Sequence, residues 1–68
     1  MVNRLKACRE DHQITQEQLA QLVGVSRQSI ISIEKGHYVP TSVLALKISS
    51  VLKIKVEDLF VLEESDWK

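Results

Sequence analysis

GVSRQSI, residues 24–30, decides the fold. Gly24 suits the left-handed position that ends a helix, and Ser26 suits the N-cap of the next one. A helix that stops and restarts this abruptly turns a corner, and it leaves Arg27 and Gln28 at the front of the new helix. Upstream, Thr15 with Gln18 makes a capping-box pattern and Ile14 with Leu19 a hydrophobic staple, so a helix is predicted over residues 15–23. Downstream, Val25 and Ile30 repeat the staple, Ile30 and Ile33 point one way, and the predicted helix over residues 27–35 ends at Gly36.

The rest of the chain reads as short helices with tight connections. A first helix is predicted over residues 3–12, with Leu5 and Cys8 on one face and Arg9 and His12 beside them. The segment His37–Pro40 is a loop, because Pro40 disfavours helix at Val39. Thr41 caps a helix over residues 42–52, with Leu44, Ala45, Ile48 and Leu52 inward. A last helix over residues 56–60 brings Leu59 and Phe60 to the core, and residues 1–4 and 61–64 are candidate short strands.

Composition bounds the function. A chain of 68 residues is expected to form one domain, with a small core and no room for a deep substrate pocket. Three aromatic residues speak against a base-stacking platform. The net charge of zero hides an asymmetry: residues 1–55 carry eight Lys/Arg against four Asp/Glu, and residues 56–68 carry one against five. A basic body with an acidic end suits a polyanion partner, or a solvated surface. One cysteine excludes an internal disulfide. Residues 1–15 lack the apolar run of a secretory signal, and no stretch is long enough to span a membrane, so a cytoplasmic protein without membrane contact is expected.

Two helices joined by a turn of about three or four residues make a helix-turn-helix, here over residues 15–35. The second helix fits the major groove of B-DNA and reads bases with its N-terminal residues. Arg27 can pair bidentately with guanine and Gln28 with adenine. The start of the preceding helix, at Gln16, offers free N–H groups to a phosphate.

Thr15-Gln16-x-x-Leu19-Ala20, Gly24-Val25-Ser26, Ile30, Ile33-Glu34, Gly36, Pro40 and Glu57-Asp58-Leu59-Phe60 together resemble the Cro/CI-type (Xre) helix-turn-helix family of regulators. The resemblance covers residues 4–60, and the two ends look like the small stand-alone dimeric members, some of which pair an N-terminal with a C-terminal strand. It implies an all-α, five-helix, lambda-repressor-like DNA-binding domain, with a small two-stranded antiparallel sheet from the terminal segments. It also implies a homodimer on a palindromic operator. Carried over residue by residue, it places Arg27, Gln28 and Ser32 on bases, Gln16 on phosphate and in support of the base-reading residues, and Lys35 to Tyr38 near the backbone. Ser29, beside the base-reading residues, is a further backbone candidate. The Arg9 and Glu34 positions form a structural ion pair in relatives. The chain departs from the family at Lys53, where Gly or Asn is usual, and at Lys55, where Ser or Thr is usual. A left-handed Lys53 costs on the order of 1 kcal/mol, and a missing cap at Lys55 roughly the same.

Other residues carry two readings each. Ile31 is either an isolated exposed apolar side chain or a contact to a thymine methyl group. Tyr38 and His37 either donate to phosphate or pack over the loop. Val61, Leu62 and Trp67, with Phe60, form either a frayed tail or a dimer surface within a C-terminal dimerisation segment at about 56–68. Cys8 and His12 are too few for a metal site, and Glu34 has no catalytic company, so no metal, cofactor, small-molecule ligand or enzymatic activity is expected. The expected function is sequence-specific repression of transcription. The rival is a protein-interaction module, such as an antitoxin or adaptor, with DNA binding secondary.

Overall fold

The computed structural model describes residues 1–68. Five α-helices follow one another: α1 Leu5–Asp11, α2 Gln16–Val23, α3 Arg27–Glu34, α4 Ser42–Leu52 and α5 Val56–Leu59. Strands β1 Val2–Asn3 and β2 Phe60–Val61 pair antiparallel, with Val2 opposite Val61 and Asn3 opposite Phe60. A 3-10 turn at Glu64–Trp67 follows. The fold is the expected all-α bundle with a small two-stranded sheet.

Local chemistry sets the helix starts. Thr15 Oγ1 accepts from the Gln18 N–H at 3.0 Å, while Gln18 Oε1 accepts from the Thr15 N–H at 2.9 Å, which closes the capping box. Ser26 Oγ and Thr41 Oγ1 each accept from the backbone N–H three residues on, both at 3.2 Å. Gly24 and Gly36 take φ +77, the left-handed conformation that ends α2 and follows α3. Each N-cap of this kind contributes about 1 kcal/mol.

The core joins all five helices. Leu5, Leu19, Ala20, Val23, Ile30, Ile33, Leu44, Ile48, Leu52 and Leu59 are buried, and the staple residues Ile14 and Val25 pack against them. Full burial of one Leu or Ile stabilises by roughly 1.5–3 kcal/mol. Because α2 packs on both α3 and α4, it holds α3 by its inner face, Ile30 and Ile33, and leaves the front of α3 outward.

The boundaries differ from the sequence expectation where distant partners intervene. The first helix starts at Leu5 rather than residue 3 because Asn3 is held elsewhere. Its Nδ2 donates to the Ile33 carbonyl at 3.1 Å, and its Oδ1 accepts from the Leu5 N–H at 3.4 Å. That helix ends at Asp11, and Gln13 takes φ 56. Helix α3 stops at Glu34 rather than residue 35, with Lys35 as its C-cap. The last helix stops at Leu59, because Phe60 turns to extended backbone to pair with Asn3. The C-terminal strand therefore lies at Phe60–Val61, not 61–64. Ala45, expected inward, is half-buried.

Lys53 adopts the left-handed conformation, φ 54 and ψ 42, and Lys55 makes no side-chain cap. The Lys53 turn is braced by Ser49, whose carbonyl accepts from the Lys53 and Ile54 N–H groups and whose hydroxyl donates to the Ile54 carbonyl. The Met1 amine meets Glu63 Oε1 and Asp66 Oδ2, each at 2.9 Å. Those hydrogen bonds raise the pKa of the amine. Asp66 is held below the usual carboxylate range, first by the Glu63 N–H and then by the amine. No helix is long and apolar enough to cross a membrane.

Candidate nucleic-acid interface

Arg27, Gln28 and Ser29 form the first turn of α3, directly after the Ser26 cap. Arg27 and Gln28 are exposed, as a base-reading role requires; Ser29 and Ser32 are half-buried. Two shallow depressions flank the helix. One is lined by Arg9, Thr15, Gln16, Glu17 and Arg27, with no hydrophobic residue. The other is lined by Ser26, Gln28, Ser29, Ser32 and Tyr38.

The structure thus brings Gln16 beside Arg27 at the front of α3, and Gln28 and Ser32 beside Tyr38 along its flank. The Ser29 hydroxyl is 3.1 Å from that of Ser26. Lys35 and His37 are exposed where the chain leaves α3, and Tyr38 is 43% exposed. The loop is fixed at its start, because the His37 N–H donates to the Ser32 carbonyl at 2.9 Å. Ile31 is half-buried rather than exposed and lines neither depression.

Beneath this face lies a charged network. Arg9 Nε donates to Glu34 Oε2 at 2.7 Å, and Arg9 Nη2 reaches Glu34 Oε1 at 3.4 Å. Arg9 Nη1 donates to the Ile14 carbonyl at 2.9 Å, and Gln16 Nε2 donates to Glu34 Oε1 at 3.0 Å. The Arg9 and Glu34 side chains are only 10% and 5% exposed. The hydrogen bond to Glu34 raises the pKa of Arg9 in spite of the burial that opposes it, so the guanidinium stays charged. At the start of α2, the N–H of Gln18 is taken by Thr15, whereas those of Gln16 and Glu17 precede the first intrahelical bond.

The residues expected at a dimer surface do not behave alike. Phe60 is half-buried and packs against the core, whereas Val61, Leu62 and Trp67 are exposed, Trp67 at 77%. An apolar groove of about 310 Å³ lies beside them, lined by Met1, Val39, Pro40, Ala45, Leu46, Val56 and Phe60 among others. Val39, Val43 and Leu46 were not read from the sequence as surface features, yet they are 67%, 64% and 59% exposed. The signal was present: Ser42–Leu52 is apolar on more than the one face its core contacts require.

The helix-turn-helix family model matches residues 5–59. An uncharacterised HTH-type transcriptional regulator of Methanocaldococcus jannaschii is 50% identical over 66 residues, covering 97% of this chain and all of the relative. One from Bacillus subtilis is 47% identical over 66 residues with the same coverage. Among solved structures, the restriction-modification controller protein C.AhdI from Aeromonas hydrophila superposes with a TM-score of 0.77 at 33% identity, covering 84% of this chain and 86% of that one. A helix-turn-helix whose second helix presents Arg27 and Gln28 outward, in a chain so similar to HTH-type regulators, places this protein in the Cro/CI-type (Xre) helix-turn-helix family of DNA-binding transcriptional regulators.

Proposed function

We propose that the protein is a sequence-specific repressor that binds a palindromic operator as a homodimer, with α3 in the major groove. The observation that carries this reading is the front of α3: two exposed residues with bidentate base-pairing chemistry, Arg27 and Gln28, flanked by polar depressions and no apolar cover. Ser32 completes the base-facing set, with Ile31 able to offer only its exposed part to a thymine methyl group. Gln16, Ser29 and Tyr38 line the depressions beside this set, exposed Lys35 and His37 follow α3 in the chain, and all five suit phosphate contacts. A single domain of residues 1–68 carries these parts, and the protein bound at its operator would keep the transcription machinery off that DNA.

The homodimer is supported by the apolar surface on the side of Phe60, Val61 and Leu62, continued by Val39 and Leu46 around the groove. One recognition helix covers too few base pairs for specificity in a genome. Two copies related by a two-fold axis read half-sites about 34 Å apart.

The test is selection of bound sequences from a random DNA pool, where a palindrome is the expected result. Arg27→Ala and Gln28→Ala should each weaken binding to the selected site by about 1–3 kcal/mol and relax one base position per half-site. Unchanged base preferences in Arg27→Ala would remove that residue from the reading set.

A further inference from the structure

We infer that Glu34, the last residue of α3, is a positioning residue for DNA recognition, acting through the side-chain amide of Gln16. The inference rests on the DNA-binding reading above and extends it to a residue that touches no DNA.

An exposed glutamine amide is reversible: turning it over exchanges its donor and acceptor ends at little cost in water. A carboxylate removes that freedom, because it only accepts. Gln16 Nε2 donates to Glu34 Oε1 at 3.0 Å, and the reversed amide would set carbonyl against carboxylate. Glu34 cannot turn away. Arg9 engages both of its oxygens, at 2.7 and 3.4 Å, and is itself anchored on the Ile14 carbonyl at 2.9 Å. Its near-complete burial shields the arrangement from competing water.

The amide therefore presents its oxygen and its second N–H to the depression it shares with Arg27. The N–H suits a phosphate oxygen, and the carbonyl suits a guanidinium. One buried carboxylate at the rear of α3 thus decides which end of Gln16 meets the backbone and which meets the base-reading arginine. A Gln16 released from Glu34 offers either end.

A double-mutant cycle on the selected operator tests this. Glu34→Gln keeps the side-chain shape and an acceptor for Arg9, but its own amide can offer either end to Gln16. Gln16→Ala should weaken operator binding about tenfold in the wild-type background and less than about twofold in the Glu34→Gln background. Equal losses in the two backgrounds would overturn the inference. A spectroscopic readout separates positioning from mere stability. In the free wild-type protein, one proton of the Gln16 side-chain amide should be shifted downfield and exchange more slowly than those of exposed Gln21, and Glu34→Gln should abolish the difference. A wild-type Gln16 amide indistinguishable from that of Gln21 overturns the inference even if Glu34→Gln does not fold. If the wild-type protein selects no operator, the DNA-binding reading fails and takes this role with it, while the amide signal still reports whether the contact forms.

Discussion

Replacing Arg9 with methionine should cost about 3–5 kcal/mol of stability, the usual consequence of leaving one member of a buried ion pair alone. A chain of this length has only about 3–10 kcal/mol to lose, so the variant should lose from about a third of its stability to all of it. The size of the effect follows from burial. Arg9 and Glu34 are 10% and 5% exposed, so water cannot replace the lost partner. The Ile14 carbonyl also loses its donor at 2.9 Å, and the connection between α1 and α2 loosens. Converting both partners, Arg9→Met with Glu34→Gln, should cost less than the sum of the two single changes, because no unpaired charge remains. Urea unfolding measures all three variants. A single-variant loss under about 1 kcal/mol, the range of exposed pairs, would mean that the pair contributes only as a surface contact.

Glutamate at both Val61 and Leu62 should leave folded monomers and lower operator affinity by about a thousandfold or more, since specific sites exceed non-specific DNA by at least that factor. Neither side chain belongs to the buried core, so the fold should survive the change. Leu46→Glu provides the comparison. Leu46 is 59% exposed and lines the groove from α4, so it samples that helix rather than the C-terminal segment. Sedimentation reads the outcome directly. Monomers from the Val61/Leu62 variant alone assign the contact to the C-terminal segment, and monomers from both variants spread it across the groove. Wild-type protein that sediments as a monomer at tens of micromolar, roughly where a moderately stable dimer persists, would defeat the homodimer.

What was legible in the sequence was local. The caps at Thr15, Ser26 and Thr41 and the terminators at Gly24 and Gly36 involve residues within four positions of one another, and they form where their residue types require. What was not legible depends on the angle between elements. Asn3 reaches the Ile33 carbonyl 30 residues away, which no short-range pattern announces, and this contact shortens the first helix. Gln16 and Glu34 stand 18 residues apart, and only the packing of α2 on α3 brings amide to carboxylate. Ile31 fell between the two cases: its place one turn beyond Arg27 was plain, but its half-burial depends on tertiary neighbours. The outer face of α4 is apolar in composition, but which of its apolar residues stay exposed, Val43 and Leu46, depends on where the other helices pack.

Lys53 and Gln13 hold φ 54 and φ 56, where a Cβ is crowded against its own backbone. Glycine at either position should raise stability by roughly 0.5–1 kcal/mol, the relief of crowding less the extra freedom glycine has when unfolded. Thermal melting of Lys53→Gly and Gln13→Gly measures the gain. Both positions are exposed, and neither lines the depressions beside α3. A scaffold hardened there keeps its reading surface and gains tolerance. The gain offsets a change on α3 that costs of the order of 1 kcal/mol, the size typical of a single substitution. Two strained turns outside the depressions beside α3 thus bear on how readily that helix can change, in the laboratory or by descent.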